Sequence, residues 1–378
     1  MSIYDELNIE KIINASDTYT RIGGSRMSQR TLAAYEEAGQ NFVDIGELSD
    51  AICKQIAKKT NNETAFISSG AAGCVVLSAS ACMTMGDETA AYHLPDTSLC
   101  KKNEIIIFES QKNCPMLPYW HLIELSGANL ITVPDSVSAL GEAITEKTAA
   151  IYIFAGTVYE WTTPKLSLII SIAHQYHVPV IVDAAAQLPP KSLLSYYTVD
   201  LGADAVIFSG GKFINAPQTT GFILGKHNII DHMKTIASPN VKIGRPYKVG
   251  KEEYAAFYRA FMDFIELDEE KRYQELKNIL VQIQSSLISS SIYESYIEEK
   301  GRLGQHIPML YLNFFNGITG KECYDFMYDS PNRVDIGIFN SLDPTGAPNR
   351  IFINAINLRN EDIPILIEKL NQWISKIS

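Results

Sequence analysis

Short apolar runs alternate with amphipathic stretches through the middle of the chain. The runs "EIIIF" (104–108), "NLITV" (129–133), "AAIYIFA" (149–155), "VPVIVDAA" (178–185), "ADAVIF" (203–208) and "GFILG" (221–225) are nearly free of polar positions. Continuous runs of this kind predict strands covered on both faces, because a strand with one wet face alternates instead. Between them, "YWHLIELSG" (119–127) predicts a helix stopped at Gly127, and "PKLSLIISIAHQYH" (164–177) predicts one opened by Pro164. Strand, helix, strand at this spacing predicts right-handed crossovers and a largely parallel sheet, with ligands bound beyond the carboxyl ends of its strands.

A longer helical pattern runs from about Lys251 to Leu287, where Tyr254, Phe257, Tyr258, Phe261 and Ile265 keep one apolar stripe. That stripe reads as core packing. From 290 on, "MLYLNFF", "RIFINAI" and a final helix in "EDIPILIEKLNQWISKI" predict a smaller α/β lobe. The expected division is an N-terminal segment at 1–45, a large domain at 46–250, and a connecting helix with a small domain at 251–378.

Composition narrows the function. With 378 residues the chain can bury a sizeable core without staples. A formal net charge of −11 argues against nucleic acid as a partner, since phosphate backbones require clustered Lys and Arg. The six cysteines form no C-x-x-C and no metal-ligand spacing, so reduced thiols and no metal are expected. No apolar run approaches a membrane span, and no basic segment leads into an apolar one at the N-terminus. A soluble cytoplasmic protein without membrane partners is the expectation.

Three features carry candidate chemistry. Asp183 closes the run "VPVIVD", where a buried carboxylate needs compensation by a metal, a base, a protonated ring nitrogen, a helix cap or an ion pair. Lys212 follows "ADAVIF" and a "SGG" turn, 29 residues later, a distance that fits one crossover and brings it to the same sheet edge. Desolvated there, a lysine amine becomes a nucleophile for a carbonyl; otherwise it is a surface charge. The glycines at 210 and 211 let the backbone turn sharply and approach a ligand closely. "ISSGAAG" (67–73) opens a helical run, so its amides form an anion cup or simply a tight turn. A phosphate cup, an acid for a ring nitrogen and a lysine for an aldehyde are what pyridoxal phosphate requires. There is no Walker motif around Lys212 and no G-x-G-x-x-G.

These motifs, in this order, resemble the α/β fold-type I pyridoxal-phosphate enzymes, with a mostly parallel seven-stranded sheet and a smaller C-terminal domain. Within them the chain is similar to the selenocysteine synthase-like branch, that of D-glucosaminate-6-phosphate ammonia-lyase. The resemblance rests on "INASDTYTRIGGSRMS" (13–28), "SSGAAG" (68–73), "VDAAAQLPP" (182–190), "FSGGKFINAPQTTGFILG" (208–225) and, more weakly, "RIFINAINLRNEDI" (350–363). It implies pyridoxal 5'-phosphate with Lys212 as the Schiff-base lysine and Asp183 as the pyridinium partner. It further implies Ser69, Gly70 and Ala71 in the phosphate cup, Ser209 closing it, and Gln187 near the cofactor. A homodimer or larger homo-oligomer is implied too, with Thr219 and Thr220 directed to a neighbouring subunit's phosphate. The branch usually carries a "GHRN"-like stretch whose histidine stacks on the ring. Here "ESQKNCPMLPYWH" (109–121) puts Gln111 at that position, and either its amide plane or a displaced His121 is expected over the ring. The chain is acidic and too short for the tRNA-binding domain of selenocysteine synthase, so a small amino acid or amino sugar acid is the expected substrate. Arg350 and Arg26 are candidates for its acidic groups, with Arg21 beside them. Removal of the α-proton followed by β-elimination to keto acid and ammonia is the expected reaction. Transamination, racemisation and β-replacement from the same carbanion remain open, as does a non-catalytic protein on this fold.

Overall fold

The computed structural model describes residues 2–114, 118–156, 162–339 and 347–377. Contacts group the chain into two compact units, Met27–Glu266 and Met1–Arg26 with Leu267–Ser378. Among the described residues the strands are β1 (Ile13–Ala15), β2 (Thr64–Ser69), β3 (Glu104–Phe108), β4 (Asn129–Val133), β5 (Thr148–Phe154), β6 (Val180–Asp183), β7 (Ala205–Ser209), β8 (Thr220–Gly225), β9 (Tyr293–Glu298), β10 (Met309–Phe314), β11 (Val334–Ile338) and β12 (Arg350–Ile353). No described helix is long and apolar enough to cross a membrane.

The larger unit holds a seven-stranded sheet in the order β2-β8-β7-β6-β5-β3-β4. The pairs from β4 through β7 are parallel, and β8 runs antiparallel to both neighbours. All six apolar runs are strands here. Alternation within each run serves two cores: Ile106, Phe108, Val182 and Phe208 join one, while Ile105, Ile107, Ile181 and Ile207 join the other. Because both faces are covered, no polar residue marks an outer side. The first core takes Phe257 and Phe261 from helix Lys251–Glu266, whose rings lie 5.2 and 5.8 Å from Phe222. The second packs against helix Gly70–Thr84, which is buried from Gly73 to its end.

Two helix expectations are corrected. The helix expected to open at Pro164 begins at Leu166, because Lys165 keeps an extended ψ of 133° and serves as the cap. The single pattern from 251 to 287 is two helices, Lys251–Glu266 and Glu269–Ser285, which belong to different units. The Asp268 carboxylate accepts from Lys271 N at 3.0 Å and so starts a second helix where periodicity alone saw continuity.

In the smaller unit β1-β11-β12-β10-β9 form a five-stranded sheet, with β1 parallel to β11. The N-terminal segment is held there by Asp335, whose side chain is fully buried. Its carboxylate accepts from Arg21 Nη2 at 2.7 and 2.8 Å, from Tyr324 Oη at 3.1 Å, and from Ser16 Oγ. Burial first, then the Asp335 charge, push the Tyr324 phenol up to about 12. Replacing Asp335 by Ala removes the shared partner of Arg21, Tyr324 and Ser16 and should cost on the order of 2 kcal/mol, read as a lower midpoint in urea unfolding. An unchanged midpoint would show that the N-terminal segment is held by other contacts.

Candidate active site

The carboxyl ends of β2, β5, β6 and β7 share one edge of the large sheet with the start of β8. Asp183 is the last residue of β6 and pairs with Phe154 of β5 on one side and Ile207 of β7 on the other. Lys212 lies three residues beyond the end of β7. Strand alternation puts the side chains of Asp183 and Ser209 on the face covered by helix Gly70–Thr84.

Asp183 is 7% exposed. Its Oδ1 accepts one hydrogen bond, from Ala185 N at 3.0 Å. Burial raises its carboxyl from 3.8 to about 6, against the pull of that bond and of the positive Lys212. A buried carboxylate held this way favours a further cation beside it.

The connection that carries Lys212 folds tightly on itself. Gly210 N donates to Thr220 O at 2.9 Å, Ala216 N to Gly210 O at 3.0 Å, and Asn215 N to Lys212 O at 3.1 Å. A Cβ on Gly211 would stand 2.4 Å from Gln218 Cα, so glycine is required by the returning backbone of this loop. Lys212 itself is half-buried.

Ser69 ends β2 and caps helix Gly70–Thr84, yet its side chain makes no capping bond. Gly70 turns the chain with φ +68°, and its N–H donates to Thr219 O at 2.6 Å. The next amides open the helix, and its first turn contains no acid. Ser69, Gly70 and Ala71 are part-exposed, so a dianion can reach this positive helix end. The donor set therefore fits pyridoxal phosphate: an anion cup, a buried acid lacking a full complement of partners, and an amine whose charge that acid feels.

The remaining predicted residues divide. Gln111 and Gln187 lie at the same sheet edge, both buried. Gln111 Nε2 donates to Phe154 O at 3.0 Å and its Oε1 accepts from Phe154 N at 3.3 Å. Gln187 Nε2 donates to Ala155 O at 3.1 Å. Thr220 is fully buried and its hydroxyl donates to Pro217 O at 2.7 Å, while the exposed Thr219 hydroxyl donates to Glu253. Arg26 and Arg350 belong to the other compact unit. The Arg26 guanidinium donates to Asn357 O. Arg350 Nε donates to Asn313 Oδ1 at 2.6 Å, and its guanidinium lies over the Phe339 and Tyr311 rings at 5.7 and 5.9 Å. His121 is an exposed residue of the short helix Trp120–Glu124, its ring tilted by 36° against that of Trp120 and its Nδ1 3.6 Å from the Glu124 carboxylate. Residues 115–117 of the "ESQKNCPMLP" stretch lie outside the described residues.

Sequence reasoning missed Tyr119. Its phenol is pushed up by burial and by the charge of Asp183, which ties it to this site although its side chain is 44% exposed. The available signal was the aromatic pair at 119–120 directly after Pro118, within the segment that departs from the family pattern.

The family model for aminotransferase class V matches residues 28–247. The chain is 31% identical to the D-glucosaminate-6-phosphate ammonia lyase of Salmonella typhimurium over 70% of each chain. It is 30% identical to the 5'-C-glycyluridine monooxygenase-decarboxylase of a Streptomyces species over 72% of this chain and 67% of that one. A solved D-glucosaminate-6-phosphate ammonia-lyase structure superposes with a TM-score of 0.83 over 98% of both chains at 23% identity, and so has the same fold. A matching family model over more than half the chain, on a sheet edge that carries the acid, the amine and the cup, identifies this chain as a member of the aminotransferase class-V family of pyridoxal-phosphate-dependent enzymes.

Proposed function

We propose that this chain is a pyridoxal-phosphate-dependent lyase acting on a small amino acid or amino sugar acid. The observation that carries the reading is the shared sheet edge, where Asp183 ends β6, Lys212 follows the end of the neighbouring β7, and Ser69 opens the Gly70–Thr84 helix. Bound pyridoxal phosphate supplies an aldehyde that links to an amine and a ring that draws electrons from the carbon beside that amine. Asp183 contributes the buried negative charge that keeps the ring nitrogen protonated. Ser69, Gly70, Ala71 and Ser209 receive the phosphate oxygens. Lys212 Nζ would hold the aldehyde, and as a free amine it would accept the proton from the carbon beside the substrate amine. Loss of a group from the next carbon would leave an enamine, which water would hydrolyse to a keto acid and ammonia. Arg350, on its aromatic floor, is proposed to receive the substrate carboxylate. Arg26 is proposed to assist with a second acidic group. The choice of a lyase follows the Salmonella relative.

The similarity to the Streptomyces enzyme favours a second reading, in which the carboxylate rather than the proton leaves the α-carbon. We also propose a cytoplasmic homodimer or larger homo-oligomer. All six cysteines are free thiols, as a reducing compartment would keep them. Phe42 is 99% exposed and lies beside a groove of about 730 Å³ lined in part by Ala34, Ala38, Val43, Leu48 and Tyr258. Such an apolar surface favours burial against a second copy. Sedimentation should show a species heavier than one 42.0 kDa chain, and a monomer at micromolar concentration would refute this part of the reading.

Borohydride treatment should fix the cofactor to a peptide containing Lys212. The Lys212→Ala protein should carry no fixed cofactor and lose about 10²–10⁴-fold in turnover. With a panel of amino acids and amino sugar acids, the wild type should release keto acid and ammonia in equal amounts. Carbon dioxide release with oxygen uptake would favour the second reading, and cofactor fixed in the Lys212→Ala protein would sink both.

Asp183 gives a pH test on the apoprotein. Its folded value of about 6 lies above the ordinary 3.8, so between those values the folded chain holds a proton that the unfolded chain has released. Stability from this group is therefore present at low pH and declines as pH rises from about 4 to 6, by on the order of 3 kcal/mol. Asp183→Asn should flatten that decline while weakening pyridoxal phosphate binding at pH 7. A variant that retains the wild-type decline would assign it to another group.

A further inference from the structure

We infer that Gln111 and Gln187 are positioning residues: their amides clamp the end of β5, the strand end that braces Asp183. The inference rests on the proposed cofactor role of Asp183 and reassigns Gln111, whose position suggested a group facing the cofactor ring.

The case is an accounting of backbone groups. β5 pairs with β3 only as far as Ile151, opposite Ile106, although β5 continues to Phe154. Phe154 lies beyond that paired stretch, with its amide and carbonyl toward the end of β3. Gln111, just past the end of β3, meets them with its side chain, offering one donor and one acceptor to a single residue's carbonyl and N–H. One residue on, Ala155 N donates to Asp183 O at 2.8 Å and Ala155 O receives the Gln187 amide. All four main-chain polar groups of Phe154 and Ala155 are thus engaged. Both residues are buried, so any group released would stay without water. Phe154 is also the register partner of Asp183, so a loosened β5 end opens the edge of the pocket that holds the carboxylate. With both hydrogen-bonding edges of its amide committed to Phe154, Gln111 is fixed by the strand and not by a ligand.

Gln111→Glu separates this role from the alternatives. Ionised, the carboxylate offers only acceptors and opposes the Phe154 carbonyl. Protonated, it has the shape and the donor–acceptor pattern of the amide. The probe is pyridoxal phosphate added to apoprotein, with each variant compared to the wild type at the same pH, so that the titration of Asp183 cancels. At pH 8 the Gln111→Glu protein should bind it at least tenfold more weakly. At pH 5 the deficit should shrink to within about twofold. Gln111→Ala and Gln111→His should be weak at both, since neither reproduces the amide pair. The apoprotein melting temperature of Gln111→Glu should follow the same pattern without cofactor. Gln187→Glu should lose and regain binding similarly, and it serves if Gln111→Glu fails to fold at pH 8. Wild-type binding by Gln111→Glu at pH 8, or by Gln111→His, would overturn the clamp, the latter in favour of a ring-facing role. If the melting temperatures behave as stated but no protein binds pyridoxal phosphate, the clamp stands and the cofactor reading falls.

Discussion

A carboxylate at the covered end of a parallel strand sets the terms for the rest of the site. Asp183 is nearly closed off from solvent, and among the described residues it takes one hydrogen bond and feels the charge of Lys212. The sheet is covered on both faces, so relief has to come from the edge, and the edge is where the Ser69 turn, the Gly210–Gly211 turn and the two glutamines converge. Their placement follows from the order of the strands. β6 lies between β5 and β7, so whatever fixes those two ends frames the acid from both sides.

The fold was legible because its signals are local. A strand buried on both faces is a continuous apolar run, and six such runs became six strands of one sheet. Asp183 and Lys212 were legible for a related reason: each ends an apolar run, and one crossover separates them. What escaped reading depends on partners far apart in sequence or on a single cap. Asp268 splits a helix that the apolar stripe alone makes continuous. Arg21 meets its acid 314 residues away, which no spacing rule reveals. Gln111 was singled out by its position in the sequence, but the backbone it binds belongs to a strand 43 residues further on.

The two units also differ in what their charged groups do. In the larger one the acid at the strand end is under-compensated and felt by an amine. In the smaller one Asp335 is satisfied three times over and ties the N-terminal segment to a sheet. A buried carboxylate with full hydrogen bonding reads as architecture, and one with a single bond reads as a place for a ligand.

The antiparallel β8 carries a further consequence. Among the described residues β2 is an edge strand paired with β8 alone, and the turn that follows β2 is held by Thr219. During synthesis, β2 emerges long before that neighbour exists. The residues at 64–71 therefore wait, unpaired, until some 150 more have left the ribosome, and the anion cup closes only with the arrival of the segment that also brings the lysine. Contacts so distant along the chain slow folding, but here they make the two halves of the site appear in one event, so that no half-built site precedes the finished one.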